Sequence, residues 1–127
     1  MPLLRHHAVL LAHDELSAAP LVGPAFRIRP SDGDVTSDRD QHWFAQFELH
    51  REGDGHVTAS VSTSFDGSVW HKVASVSARR SADVVNLVEL YSVAPLVRVE
   101  TSGDEPVPPH RVTVRLASDG PFSVQPA

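Results

Sequence analysis

The chain of 127 residues has no cysteine. That excludes a disulfide framework, a thiolate metal site and a cysteine nucleophile. Basic residues are in deficit: 11 Lys and Arg against 16 Asp and Glu leave a net charge of −5 with neutral His. A non-specific nucleic-acid binder needs a basic face, so that class is disfavoured. An anionic membrane surface is disfavoured for the same reason. No apolar run approaches the ~20 residues that cross a bilayer. The apolar run at 8–12 is too short for the core of a signal peptide, so none is evident. Aromatics are few, with 2 Trp, 1 Tyr and 5 Phe. Runs of strong helix formers are scarce, and 10 Pro and 7 Gly cut the chain into short segments.

What is present is β-branched and short-range. One domain over 1–127 is expected at this length, with about two-thirds of the unfolded surface buried. A hydrophobic fraction of 41% suits a thin sandwich core. The organising stretch is Ser64-Phe65-Asp66-Gly67-Ser68-Val69-Trp70. Alternating segments flank it at 57–63 and 69–76, so Asp66-Gly67 reads as a hairpin turn. Gly67 can adopt φ > 0, and Asp66 can close the turn through its carboxylate. The Trp70 ring is expected to cover the end of the core.

Taken in order, residues 1–25 read as an N-terminal arm or edge segment. A helical turn is possible at Asp14-Glu15-Leu16, but Pro20 and Pro24 prevent a long helix. A short strand follows at 25–29, then a polar loop at 30–41. Residues 42–51 alternate: Trp43, Ala45, Phe47 and Leu49 share one face, and His42, Phe44, Gln46, Glu48 and His50 the other. Glu52-Gly53-Asp54-Gly55 reads as a turn joining this strand and 57–65 in a hairpin. There Val57, Ala59, Val61, Thr63 and Phe65 point inward, and Ser60, Ser62 and Ser64 form a solvated face. Residues 84–92 are apolar without a clean period of two, so strand and helical turn both stay open. Strands follow at 96–101, 110–117 and 122–124, the outward Arg98, Arg111 and Arg115 suiting edge protection. Seven to nine short strands make an all-β, antiparallel, jelly-roll-like sandwich.

A strand ending in Ser-x-Asp-Gly-x-x-Trp (64–70), then Leu96-Val97-Arg98-Val99-Glu100 and the strand 110–116, resembles a recurring pattern. It is similar to small β-sandwich structural proteins of tailed bacteriophages and related particles, including capsid decoration and tail-associated proteins. It is also similar to discoidin-type carbohydrate- or lipid-binding modules, although the pair of cysteines usual there is missing. The resemblance spans roughly 42–117 and marks a hairpin rather than a chemistry.

Candidate chemistry is thin. His6 and His7 are adjacent and point to opposite sides of a strand. His42 and His50 share a face but lie about 26 Å apart along it. Solvated or interfacial histidines explain the pattern better than a metal site. Asp32-Gly33-Asp34 with Asp38 and Asp40 has acidic ligands, but not the spacing of a calcium loop. No serine has a nucleophile-elbow context. The expectation is a chain with no catalytic residue, no metal and no cofactor.

Phe44 stands out on a polar face, with subunit contact and two-sided burial as its two explanations. Leu3, Leu4, Val9, Leu10 and Leu11 form an apolar segment that must pack somewhere. With Phe44 they are the expected interface; Asp66, Gly67 and Trp70 are the structural hairpin. The resemblance then implies a non-enzymatic structural protein of a phage or virus-like particle, foremost a capsid decoration (cement) protein. It would reside in the virion after assembly in the host cytoplasm. Partners would be the major capsid protein or other virion subunits, with a homo-oligomer or particle-bound state and neither nucleic acid nor membrane. The alternatives are a tail or connector component and a carbohydrate-binding sandwich module, the latter using exposed aromatics and polar loops at one end.

Overall fold

The computed structural model describes residues 6–30, 41–79 and 83–127. Nine strands follow in order: β1 (His6–Ser17), β2 (Phe26–Pro30), β3 (Trp43–Arg51), β4 (Val57–Ser64), β5 (His71–Ala78), β6 (Asp83–Leu90), β7 (Leu96–Gly103), β8 (His110–Ser118) and β9 (Phe122–Pro126). They form two antiparallel sheets, β1-β8-β3-β6 and β5-β4-β7-β2-β9. Successive strands alternate between the sheets everywhere except at β4–β5. This is the interleaving of an eight-stranded jelly roll, with β9 added outside β2. The all-β sandwich expected from the alternation is therefore what the chain adopts.

The core lies between the sheets and follows the period of two. On β3, Ala45, Phe47 and Leu49 are buried; across it on β8 so are Val112, Val114 and Leu116. The facing sheet supplies Val57, Ala59 and Val61 from β4, and Val97 and Val99 from β7. Each buried Val or Leu stabilises the fold by roughly 1.5–3 kcal/mol before conformational entropy is subtracted. Trp43 is half-buried at the margin, where its ring meets Phe122 edge-on at 4.9 Å.

Several expectations are corrected. β3 and β4 do not pair: the turn at 52–56 carries the chain from one sheet to the other. Alternation predicts a strand but not its neighbour. At this crossing Arg51, largely buried, donates from Nε to Ala78 O (2.9 Å), from Nη2 to Arg79 O (2.8 Å) and from Nη1 to Gly53 O. It thereby ties the end of β3 to the end of β5 in the opposite sheet. Residues 14–16 are strand, not a helical turn, because β1 continues along β8 to Ser17, with register shifts between Val9 and Leu11 and between His13 and Ser17. Residues 83–90 are also strand, an edge whose both faces carry apolar side chains.

The arginines Arg98, Arg111 and Arg115 do not guard edges. They lie on β7 and β8, which are interior strands. The seryl face is not solvated: Ser60, Ser62 and Ser64 are 1%, 1% and 0% exposed. β4 is flanked on both sides, and longer side chains of β5 and β7 cover its small ones. Ser60 Oγ meets Ser75 Oγ at 3.0 Å, and Ser62 Oγ approaches Glu100 Oε1 at 3.4 Å. Phe65 does not point into the core. The ladder ends at Ser64, which leaves Phe65 in the turn and 81% exposed.

Candidate functional site

The β4–β5 turn is built as the Asp-Gly pair implies. Ser64 Oγ accepts the backbone N–H of Gly67 at 2.9 Å, and Asp66 Oδ1 accepts those of Ser68 (2.8 Å) and Val69 (3.1 Å). Gly67 has φ +83°, a conformation that other residues adopt only with strain. Beyond the turn, Trp70 departs from expectation. Its ring does not cap the core but lies on the outer face of the five-stranded sheet, half-buried. Trp70 Nε1 donates to Gly67 O at 3.1 Å, and the Arg98 guanidinium stacks over the ring with Cζ 4.2 Å from its centre. A bulge explains the difference: pairing shifts between Val61 and Ser62, so the strand start is rotated relative to a regular hairpin.

This outer face is basic. Across its rows run Lys72, Ser62 and Arg98, then Leu96 opposite Arg27, then Arg29 opposite Ser123. Lys72, Arg27 and Arg29 are exposed, Arg98 is half-buried, and Glu100 is the acidic side chain among them. Among the described residues none of these four cations lies within ion-pair distance of a carboxylate, and Arg98 Nε is buried without an acceptor. The sequence signal was available in the phase of Arg98, which alternates with the core residues Val97 and Val99. Its stacking partner was not, because that depends on the bulge.

The outer face of the four-stranded sheet is different. Phe44 is half-buried there between Ala117 and Glu89 in its row. The next rows place Val9, Arg115, Gln46 and Leu87 together, then Ala12, Thr113, Glu48 and Val85. Val9, Leu87 and Val85 are 44%, 47% and 70% exposed. Arg115 Nη1 donates to Glu48 Oε2 at 2.8 Å, which pairs two of the charges in this patch; Glu89, beside Phe44, has no ion pair among the described residues. A recess of about 340 Å³ opens between His7, Gln46, Leu87, Arg115 and Ala117.

Of the expected interface residues, Val9 and Phe44 reach this outer face. Leu10 does not: it is 1% exposed inside the core, on the side of β1 opposite Val9. Leu11 packs on the core as well. Leu3 and Leu4 lie outside the described residues, as does the acidic loop of Asp32, Asp34, Asp38 and Asp40. Among the described residues no group of three His, Asp or Glu could hold a metal ion, and no helix is long and apolar enough to cross a membrane.

One end of the sandwich carries two exposed aromatics, of which Phe65 was expected to point inward. Phe65 and Tyr91 are 81% and 86% exposed, and Val69 is 58% exposed. Phe65 borders a recess of about 250 Å³ whose other walls include His71, Val73, Ser92 and Val93. Tyr91 escaped notice because it follows an apolar run whose last core residue is Leu90.

Three surface carboxylates are tied to the backbone. The N–H groups of Ser68 and Val69 hold the Asp66 carboxyl below its ordinary value of 3.8. The backbone N–H of His56, and then its ring, do the same for Asp104. Burial pushes Asp119 up, but the ring and backbone N–H of His42 outweigh it and the net direction is down. Each depressed value contributes stability that is complete above the ordinary carboxylate pKa and is lost as pH falls through the folded one. Urea midpoints are expected to hold down to about pH 4 and to decline below it. Asp104→Asn should flatten that decline, and an unchanged acid slope would contradict the assignment.

No protein-family model matches the chain, and no curated protein matches it in sequence. Solved structures match it in fold. The PBSX exported protein XepA, a phage-associated protein, superposes with a TM-score of 0.56 over 92% of this chain at 12% identity. The chain spans 38% of the length of that protein. Carbohydrate-binding modules of family 29, one of them complexed with mannohexaose, superpose over 91% of this chain at a TM-score of 0.45 and 14% identity. At these identities the likeness is one of fold: the chain is a jelly-roll sandwich similar in architecture to a phage-associated exported protein.

Proposed function

We propose that the chain is a non-catalytic structural protein of a phage or phage-like particle, in its most specific form a capsid decoration protein. The observation that carries this reading is the outer face of the four-stranded sheet. Val9, Val85 and Leu87 are exposed together beside the half-buried Phe44 and an internally neutralised Arg115–Glu48 pair. Covering such a face gains from its apolar groups, and the Arg115–Glu48 pair is already formed. The partner it fits is a flat surface of the major capsid protein or another virion subunit. The fold likeness to XepA is compatible with this reading, as is the hairpin pattern at 64–70.

Particles purified from the source cells on a density gradient are expected to retain the chain. Recombinant protein should co-sediment with particles stripped of it. Val85→Glu with Leu87→Glu should abolish co-sedimentation while leaving the melting temperature nearly unchanged, because both side chains are exposed. A chain that never travels with particles would overturn the proposal.

A second reading, a carbohydrate-binding module, has its own supporting observations. These are the Trp70–Arg98 stack on the five-stranded sheet and the exposed Phe65 and Tyr91 at the turn end. An aromatic ring fixed beside hydrogen-bond donors is the arrangement that receives a sugar, with an apolar face and hydroxyl edges.

A further inference from the structure

We infer that the outer face of the five-stranded sheet binds an acidic polysaccharide, a chain of uronate sugars. This rests on the second reading above, and names its ligand class. The chain carries a net charge of −5, yet this face gathers Lys72, Arg98, Arg27 and Arg29 against the single carboxylate of Glu100 among the described residues. Cations concentrated against the overall sign mark a place where an anion is received.

Arg98 is the centre of the face. Its guanidinium lies over the Trp70 ring with Cζ 4.2 Å from the ring centre, and the ring is held by its own bond to Gly67 O. No carboxylate or other acceptor among the described residues engages it, and its Nε is buried without a partner. A guanidinium already desolvated on one face and fixed in orientation loses little freedom on binding a carboxylate in the bidentate manner. Lys72 lies in the same row, two strand spacings or about 10 Å away across Ser62. Arg27 lies on β2, beyond β7, one row along, and Arg29 one row further. The four cations form a line across the sheet rather than a single pocket, which suits a polymer whose carboxylates repeat.

The surrounding chemistry favours a sugar chain over an acidic peptide. Arg98, Arg27 and Arg29 sit on the interior strands β7 and β2, whose main chain is flanked by strands on both sides, so the centre of the face has no main chain to offer a peptide strand; Lys72 alone lies on an edge strand, β5. Exposed hydroxyls and an amide flank the cations: Gln125 and Ser123 lie beside Arg27 and Arg29, and Ser75, Ser77 and Ser102 lie in the rows on the other side of Lys72 and Arg98. These can donate to and accept from sugar hydroxyls.

The test is native electrophoresis of the full chain in gels containing polygalacturonate, neutral glucomannan or poly-L-glutamate. Polygalacturonate is expected to retard the protein strongly, and added salt to weaken the effect. Arg98→Gln should reduce affinity about tenfold or more. Arg27→Gln and Lys72→Gln, at exposed positions, should each reduce it less and leave the melting temperature unchanged. These two keep the test valid if Arg98→Gln perturbs folding. Equal retardation by glucomannan would overturn the acidic ligand while leaving the carbohydrate reading intact. Equal retardation by poly-L-glutamate would reduce the face to non-selective charge and overturn the proposal. No retardation by either glycan would overturn both.

Discussion

Phe47→Ala is expected to lower stability by about 3–5 kcal/mol. Phe47 is fully buried at the centre of the four-stranded sheet, between Val114 of β8 and Asn86 of β6. Removing its ring leaves a cavity that neighbouring strands, fixed by their own ladders, cannot close. For a domain of this size the loss corresponds to a fall in melting temperature of about 10–20 °C. Trp70→Ala supplies the contrast. The sequence places both aromatics in the core, and the larger one would cost more there. With Trp70 stacked outside beneath Arg98, its removal is expected to cost only about 1–2 kcal/mol. Paired thermal melts decide the order. A larger loss for Trp70→Ala would show that its ring, not Phe47, fills the interior.

His110→Ala is the second large effect, expected at about 3 kcal/mol or more. His110 is fully buried, and both ring nitrogens are engaged. Nδ1 lies 2.9 Å from Pro108 O, a carbonyl that can only accept, so Nδ1 carries the proton. Nε2 then accepts from Thr101 Oγ1 at 2.8 Å, and that oxygen accepts the backbone N–H of Leu21 at 2.9 Å. One imidazole thus joins the start of β8, strand β7 of the facing sheet and the segment ahead of β2. Its loss leaves the Pro108 carbonyl and the Thr101 hydroxyl proton without the imidazole partner in the interior. Thr101→Val should cost less, about 1–3 kcal/mol, and the double variant less than the sum of the two. Additive losses in denaturant titrations would mean the three groups do not act as one chain.

Periodicity made most of the elements legible. The face of Ala45, Phe47 and Leu49 and that of Val112, Val114 and Leu116 are evident from alternation, and Asp66-Gly67 marks the one sequence-adjacent hairpin. Pairing was not legible. Nothing local to the sequence distinguishes a turn that folds back, at Gly67, from one that crosses between sheets, at 52–56. Burial on the outer faces was also hidden, because it depends on neighbours. Ser62 disappears beneath the side chains of adjacent strands, whereas Phe65 emerges because the ladder stops one residue earlier. The basic face shows the same limit. Arg27, Lys72 and Arg98 are far apart in sequence and become neighbours only through the strand order.

That strand order also constrains how the chain can acquire its shape. Of the seven pairings among the described residues, only β4–β5 joins consecutive strands; β1 must wait for β8, and β3 for both β6 and β8. On the ribosome the first sheet therefore cannot be completed until residues 110–118 have emerged, although β3–β6, β4–β5, β4–β7 and β2–β7 can pair before then. Loop closures this long place the fold in the slow regime of millisecond-to-second β proteins, with the Asp66-Gly67 hairpin as the local seed available early. Until β8 arrives, β1 has no partner and β3 keeps one unpaired edge, which makes the nascent chain vulnerable to aggregation before residues 110–118 emerge.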